Sequence, residues 1–187
     1  MSSIAFAFGA SPETNDHEVR PEVNGIDILQ ELEAEALGID PPEFFAQAEL
    51  ERGGQLLIGR CGCGVVGCAD VHIEVSLTDG GYLWHLGADR EYSFESDQYL
   101  ASVNVAVAYK GWESIERTAE RLVSAIDFTS LAESGYQFEW ASARIAKGRI
   151  TLSFSKAQTQ RLFEVGWDAQ SPDDAVQQVR RWAENYV

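Results

Sequence analysis

Apolar and polar residues alternate along much of this chain, and that alternation predicts strands first. Ile4, Phe6 and Phe8 are spaced by two with Ala5 and Ala7 between them, the period of a half-buried strand. Residues 11–16 are loop-forming by composition. Residues 17–23 predict a second strand, which Pro21 demotes to an edge or interrupts because proline has no N–H to donate. Asn24-Gly25 then fits a type I′ turn, in which both residues take positive φ. Behind an N-cap at Asp27, with Gln30 three residues on, Ile28, Leu29, Leu32, Ala36 and Leu37 share one helical face that Gly38 ends. Asp40-Pro41-Pro42 opens a second, short helix that buries Phe44, Phe45 and Ala48 and stops at Gly53-Gly54.

The middle of the chain predicts a meander. Residues 55–61 and 68–77 form two strands, and Ala69, Val71, Ile73, Val75 and Leu77 give the second a period-two apolar face. Its other face carries Cys68, Asp70, His72, Glu74 and Ser76. Asp79-Gly80-Gly81 turns the chain into a third strand over 82–86. Residues 99–109 fit both periods. Leu100, Val103 and Val107 suit a helix, whereas Val103, Val105 and Val107 suit a strand; a cap at Ser96-Asp97 favours the helix. Residues 114–128 are helical, with Ile115, Ala119, Leu122, Val123 and Ile126 as the apolar stripe. A hairpin over 136–146 and 149–154 turns at Lys147-Gly148, and a strand over 161–167 follows. Ser171-Pro172-Asp173-Asp174 starts a final helix with Ala175, Val176, Val179, Trp182 and Ala183 as its buried stripe.

These elements predict an α+β fold: an antiparallel sheet of hairpins and meander, with helices on one face or at the ends. No linker-like stretch divides the 187 residues, so one domain over 1–187 is expected. Thirty acidic residues face 14 basic ones, a net charge of −16. Phosphate neutralisation needs clustered Lys and Arg, and only Arg180-Arg181 is available, so nucleic acid and anionic membrane are excluded as partners. A basic protein partner would be attracted. The short apolar run at 4–8 has no basic residues before it, and no run approaches a membrane span, which predicts a cytoplasmic protein.

The candidate chemistry lies in one stretch, Arg60-Cys61-Gly62-Cys63-Gly64-Val65-Val66-Gly67-Cys68-Ala69-Asp70-Val71-His72. It contains all three cysteines and a Gly-x-Gly-x-x-Gly pattern. A dinucleotide site needs a helix after the last glycine, and the residues after Gly67 alternate as a strand, so the glycines are assigned to a turn. If Gly64 to Gly67 is a four-residue hairpin loop, Cys63 faces Cys68, Cys61 faces Asp70 and Gly59 faces His72. Strand alternation then places Cys61, Cys63, Cys68, Asp70 and His72 on one face, and the three thiolates with the imidazole, Cys61, Cys63, Cys68 and His72, form a ligand set that suits zinc. Thiol chemistry is the alternative, with a Cys63–Cys68 disulfide or a thiolate beside Arg60. A third reading leaves the thiols reduced at a crowded hairpin. His72 and His85 come together if their strands are neighbours. No nucleophile elbow, Walker A loop or zincin helix is present, so no catalytic residue is assigned. No cofactor is expected apart from the zinc that the cysteines can accommodate.

The 23–28 segment leading into a helix, and Arg60-Cys61-Gly62-Cys63-Gly64-Val65-Val66-Gly67-Cys68 leading into a strand, together resemble a group of uncharacterised, mostly bacterial, small acidic proteins. The resemblance covers the first half of the chain. It implies a bacterial cytosolic protein and brings no activity or catalytic residue. With the charge and size, the sequence reads as a non-enzymatic, acidic protein-binding module of the toxin-neutralising or regulatory kind. The alternatives are a zinc or thiol-redox protein centred on the cysteines, and a small hydrolase or ligand-binding protein with an unrecognised site.

Overall fold

A computed structural model describes residues 1–11, 16–63, 65, 67–87 and 90–186. The class is α+β, with three antiparallel sheets and seven helices among the described residues. The buried apolar residues form two clusters, and the chain packs as two compact units, Met1–Trp112 and Glu113–Val187.

In the first unit, β1 (Ile4–Ser11) pairs antiparallel with β2 (Asp16–Val23). Most of the loop predicted at 11–16, residues 12–15, lies outside the described residues. The predicted turn is present: Asn24 and Gly25 have φ of 53° and 78° and lead into the two-residue strand β3 (Ile26–Asp27). Pro21 does not interrupt β2. The Val19 N–H donates across that edge to Ile39, so the Pro21 nitrogen points the same way, where β3 covers only Glu22 and Val23.

Asp27 caps α1 (Ile28–Glu31) as predicted, accepting from the Leu29 and Gln30 amides at 2.8 and 3.3 Å. The helix is far shorter than its apolar stripe implies. It stops at Leu32, Glu33 takes a φ of 53°, and the chain leaves extended. Backbone pairing outweighs helix propensity here: Leu37 exchanges two hydrogen bonds with Arg60, at 2.8 and 2.9 Å, and Ile39 pairs with Val19. Two short helices follow, α2 (Pro41–Phe45) and α3 (Glu49–Arg52), and Gly53 ends the second at a φ of 77°.

The second sheet of this unit runs in chain order: β4 (Gly54–Gly59), β5 (Val71–Thr78), β6 (Gly81–His85) and β7 (Glu91–Glu95). Leu56, Ile58, Ile73, Val75, Trp84 and Phe94 fill its inner face. The predicted meander is present. The strand at 91–95 was not predicted, since Tyr92 and Phe94 are its only apolar members. The ambiguous segment is helix α4 (Ser96–Ala108), capped one residue earlier than expected by the Glu95 carboxylate. Tyr99, Val103 and Ala106 supply its buried side, and the Tyr99 ring stacks on Tyr82 at 4.2 Å.

The second unit contains α5 (Ile115–Ser124), α6 (Thr129–Glu133), β8 (Gln137–Ser142), β9 (Arg149–Lys156), β10 (Thr159–Gly166) and α7 (Pro172–Tyr186). Ile150, Leu152 and Phe154 on β9 meet Ala119 and Val123 of α5 and Ala175 and Val179 of α7 in its core. Buried Glu120 is satisfied by the Ser142 hydroxyl, the Ala143 amide and the Arg144 guanidinium at 2.8, 2.8 and 3.0 Å.

Gly59, the last residue of β4, sits against the Leu29 side chain and the Leu37 backbone carbonyl. A methyl there would lie 2.7 Å from Leu29 Cδ2 and 3.1 Å from the Leu37 carbonyl oxygen. Gly59→Ala is expected to destabilise the first unit by about 1–3 kcal/mol through overpacking. Gly80→Ala has open space and is expected to stay within about 0.5 kcal/mol of wild type. Urea unfolding midpoints of the two variants check this; equal midpoints contradict it.

Candidate metal centre

Strand β4 ends at Gly59 and β5 begins at Val71, so the cysteines lie on a loop between the strands and not within them. The expected register is corrected accordingly. His72 faces Leu57 and Val71 faces Gly59 across an irregular step, where Gly59 had been placed opposite His72. The cause is Arg60. Its N–H and C=O pair with Leu37, which takes the chain away from β5 before the first cysteine. Gly64 and Val66 of the predicted four-residue loop lie outside the described residues. A strand, β5, follows Gly67, as the exclusion of a dinucleotide site requires.

The base of this loop is tied by charge. Arg60 bonds Glu43 Oε1 at 2.9 Å and Asp70 Oδ1 at 3.4 Å. The second oxygen of Asp70 accepts the Gly67 amide at 3.1 Å. Gly67 has a φ of 78°, which glycine adopts without strain, and the Cys68 N–H closes onto the Val65 carbonyl at 3.1 Å. One carboxylate thus links the first residue of the loop to its last turn.

These ties bring the cysteines together. The sulfurs of Cys61, Cys63 and Cys68 all lie within 4.8 Å of one another, and all three are free thiols, Cys61 half-buried and the others exposed. A tetrahedral zinc with Zn–S of about 2.3 Å sets sulfurs about 3.8 Å apart, so closing on an ion takes a movement of at most about 1 Å. A disulfide can use only two of the three sulfurs and must bring them to about 2.0 Å.

His72 is not part of this cluster. It is exposed on β5, and among the described residues the group of metal-ligating atoms consists of the three cysteines alone. His85 stands opposite Glu74 and bonds Glu91 at 2.7 Å through Nδ1, so its partner is a carboxylate and not His72. Trp84 and Tyr82 are core residues.

The thiols share protons unequally. Cys63 accepts a hydrogen bond from Cys61, with help from the Val65 backbone, and its pKa is lowered. Cys68, hydrogen-bonded to Cys63 and Cys61 and close to their charge, is pushed up to about 11. The Arg60 guanidinium, the cation that a thiolate would need beside it, is held by two carboxylates.

Set against protein-family models, curated proteins and solved structures, the chain matches none. Among the described residues, no helix is long and apolar enough to cross a membrane.

The thiol order predicts alkylation order. A lowered pKa puts more thiolate on Cys63 at neutral pH, so brief iodoacetamide treatment of the metal-free protein is expected to label Cys63 before Cys68. Cys68 gains reactivity only as the pH rises toward about 11. Peptide mass spectrometry reads the order, and early labelling of Cys68 contradicts it.

Proposed function

We propose that this protein binds a thiophilic metal ion, zinc first, through Cys61, Cys63 and Cys68. The observation that carries this reading is the approach of three sulfurs to within 4.8 Å on a loop whose ends are fixed by Arg60 and Asp70. Three thiolates are soft donors that select zinc or copper(I) over magnesium and calcium. A reducing cytoplasm, the compartment we assign, keeps them available. Elemental analysis of protein purified without chelator is expected to give one zinc per chain. Cys68→Ser is expected to weaken binding by more than about 100-fold, beyond the loss typical of an outer-sphere partner. Wild-type protein with no retained metal and no uptake of added zinc contradicts the reading.

A second reading, docking of a basic protein, is favoured by the edge strand β1. Its sequence, Ile-Ala-Phe-Ala-Phe-Gly-Ala-Ser, carries no charge, proline or lysine of the kind that protects sheet edges. Beside it, Ile4, Ala5, Phe6, Ala101, Val105 and Tyr109 line an apolar groove of about 440 Å³. Val105 is 71% exposed. The net charge of −16 selects a cationic segment to lie there, with an association that weakens as salt rises. A partner held at low salt by the wild-type chain is expected to be lost both at high salt and by Val105→Arg. Retention by Val105→Arg contradicts this reading.

A further inference from the structure

A closed structural zinc site needs four protein ligands, and a site with three keeps one position for something else. Resting on the metal-binding reading above, we propose that an ion held by Cys61, Cys63 and Cys68 keeps its fourth position open to an exchangeable neutral donor. Water holds it in buffer, and imidazole is the donor class that displaces the water.

Three observations support this. The first is the donor count. The cysteines stand together without a fourth ligand atom among the described residues, and the loop's two undescribed positions, Gly64 and Val66, have no ligating side chain. The nearby carboxylate, Asp70, has both oxygens engaged, one by Arg60 and one by the Gly67 amide, and turning it onto the ion would release the contacts that shape the loop. His72 is set apart by the β4–β5 pairing, which begins beyond the loop.

The second is access. Cys63 and Cys68 are exposed, so an outside donor can reach the ion. The third is that the loop lies apart from the core. The cluster that fills the first unit runs from Ile4 to Val103 and includes none of the cysteines. The ion is therefore not needed to complete the core, unlike the zinc of a small metal-dependent domain.

Charge selects the donor. Zinc with three thiolates already has a net charge of −1, on a loop whose first residue, Arg60, is paired with two carboxylates, Glu43 and Asp70. A fourth thiolate would raise the negative charge in a strongly acidic protein. A neutral imidazole leaves it unchanged and is a good zinc ligand.

Cobalt(II) substitution of the full chain tests the proposal. One cobalt per chain is expected, with sulfur-to-cobalt charge-transfer bands. Imidazole is then expected to shift the visible d–d bands saturably at one equivalent bound, with 2-mercaptoethanol shifting them only at much higher concentration. His72→Ala should leave the imidazole-free spectrum unchanged. Bands that do not respond to imidazole, or that change in His72→Ala, overturn the open position while leaving metal binding intact. Failure to bind cobalt or zinc at all overturns the metal-binding reading and this inference with it.

Discussion

Arg60 decides what the central stretch becomes. Its backbone pairs with Leu37 and draws the chain off β5, and its guanidinium bridges Glu43 and Asp70. The first interaction opens a loop where a tight hairpin was available, and the second closes the base of that loop. Without the Leu37 bridge, β4 and β5 could continue through the cysteines and present them on a flat sheet face. With it, three sulfurs converge on a short arc. The Arg60–Asp70 half of this ion pair has a defined role here because the second Asp70 oxygen accepts the Gly67 amide and so fixes the geometry.

The fold supports this arrangement from beneath. Leu29 and Leu37 meet Gly59, and the absence of a Cβ there lets the end of β4 lie against them. The same segment that fails to become a long helix provides Leu37 for Arg60 and Ile39 for Val19. Shortening α1 costs helix propensity and yields backbone hydrogen bonds to Val19 of β2 and to Arg60 just beyond β4. The core of the first unit, centred on Trp84, Phe94 and Tyr99, is complete without the cysteine loop, which leaves that loop available for ligand chemistry.

Much of the fold was legible because its signals are local. Period-two alternation located β1 and β5, the Asp79-Gly80-Gly81 turn located β6, Asn24-Gly25 marked a turn, and Asp27, Ser114 and Gly53 marked helix ends. The failures are tertiary. The apolar stripe at 28–37 has helical spacing, and only pairing with remote Arg60 and Val19 ends the helix early. The turn at Ala157 and Gln158, with φ of 50° and 65°, carries neither Gly nor Asn to announce it. In the site, the cysteines were legible as one chemical group, but the four-residue hairpin that joined His72 to them was not correct. Register depends on the Leu37 bridge, 23 positions away in sequence, and one displaced step moves His72 out of the set.

In the proposed site three thiolates, and no other protein ligand, hold one ion. X-ray absorption on the zinc-loaded chain is expected to show three sulfur scatterers at about 2.3 Å and one nitrogen or oxygen at about 2.0–2.2 Å. A shell with fewer than three sulfurs, or with four, rules that site out.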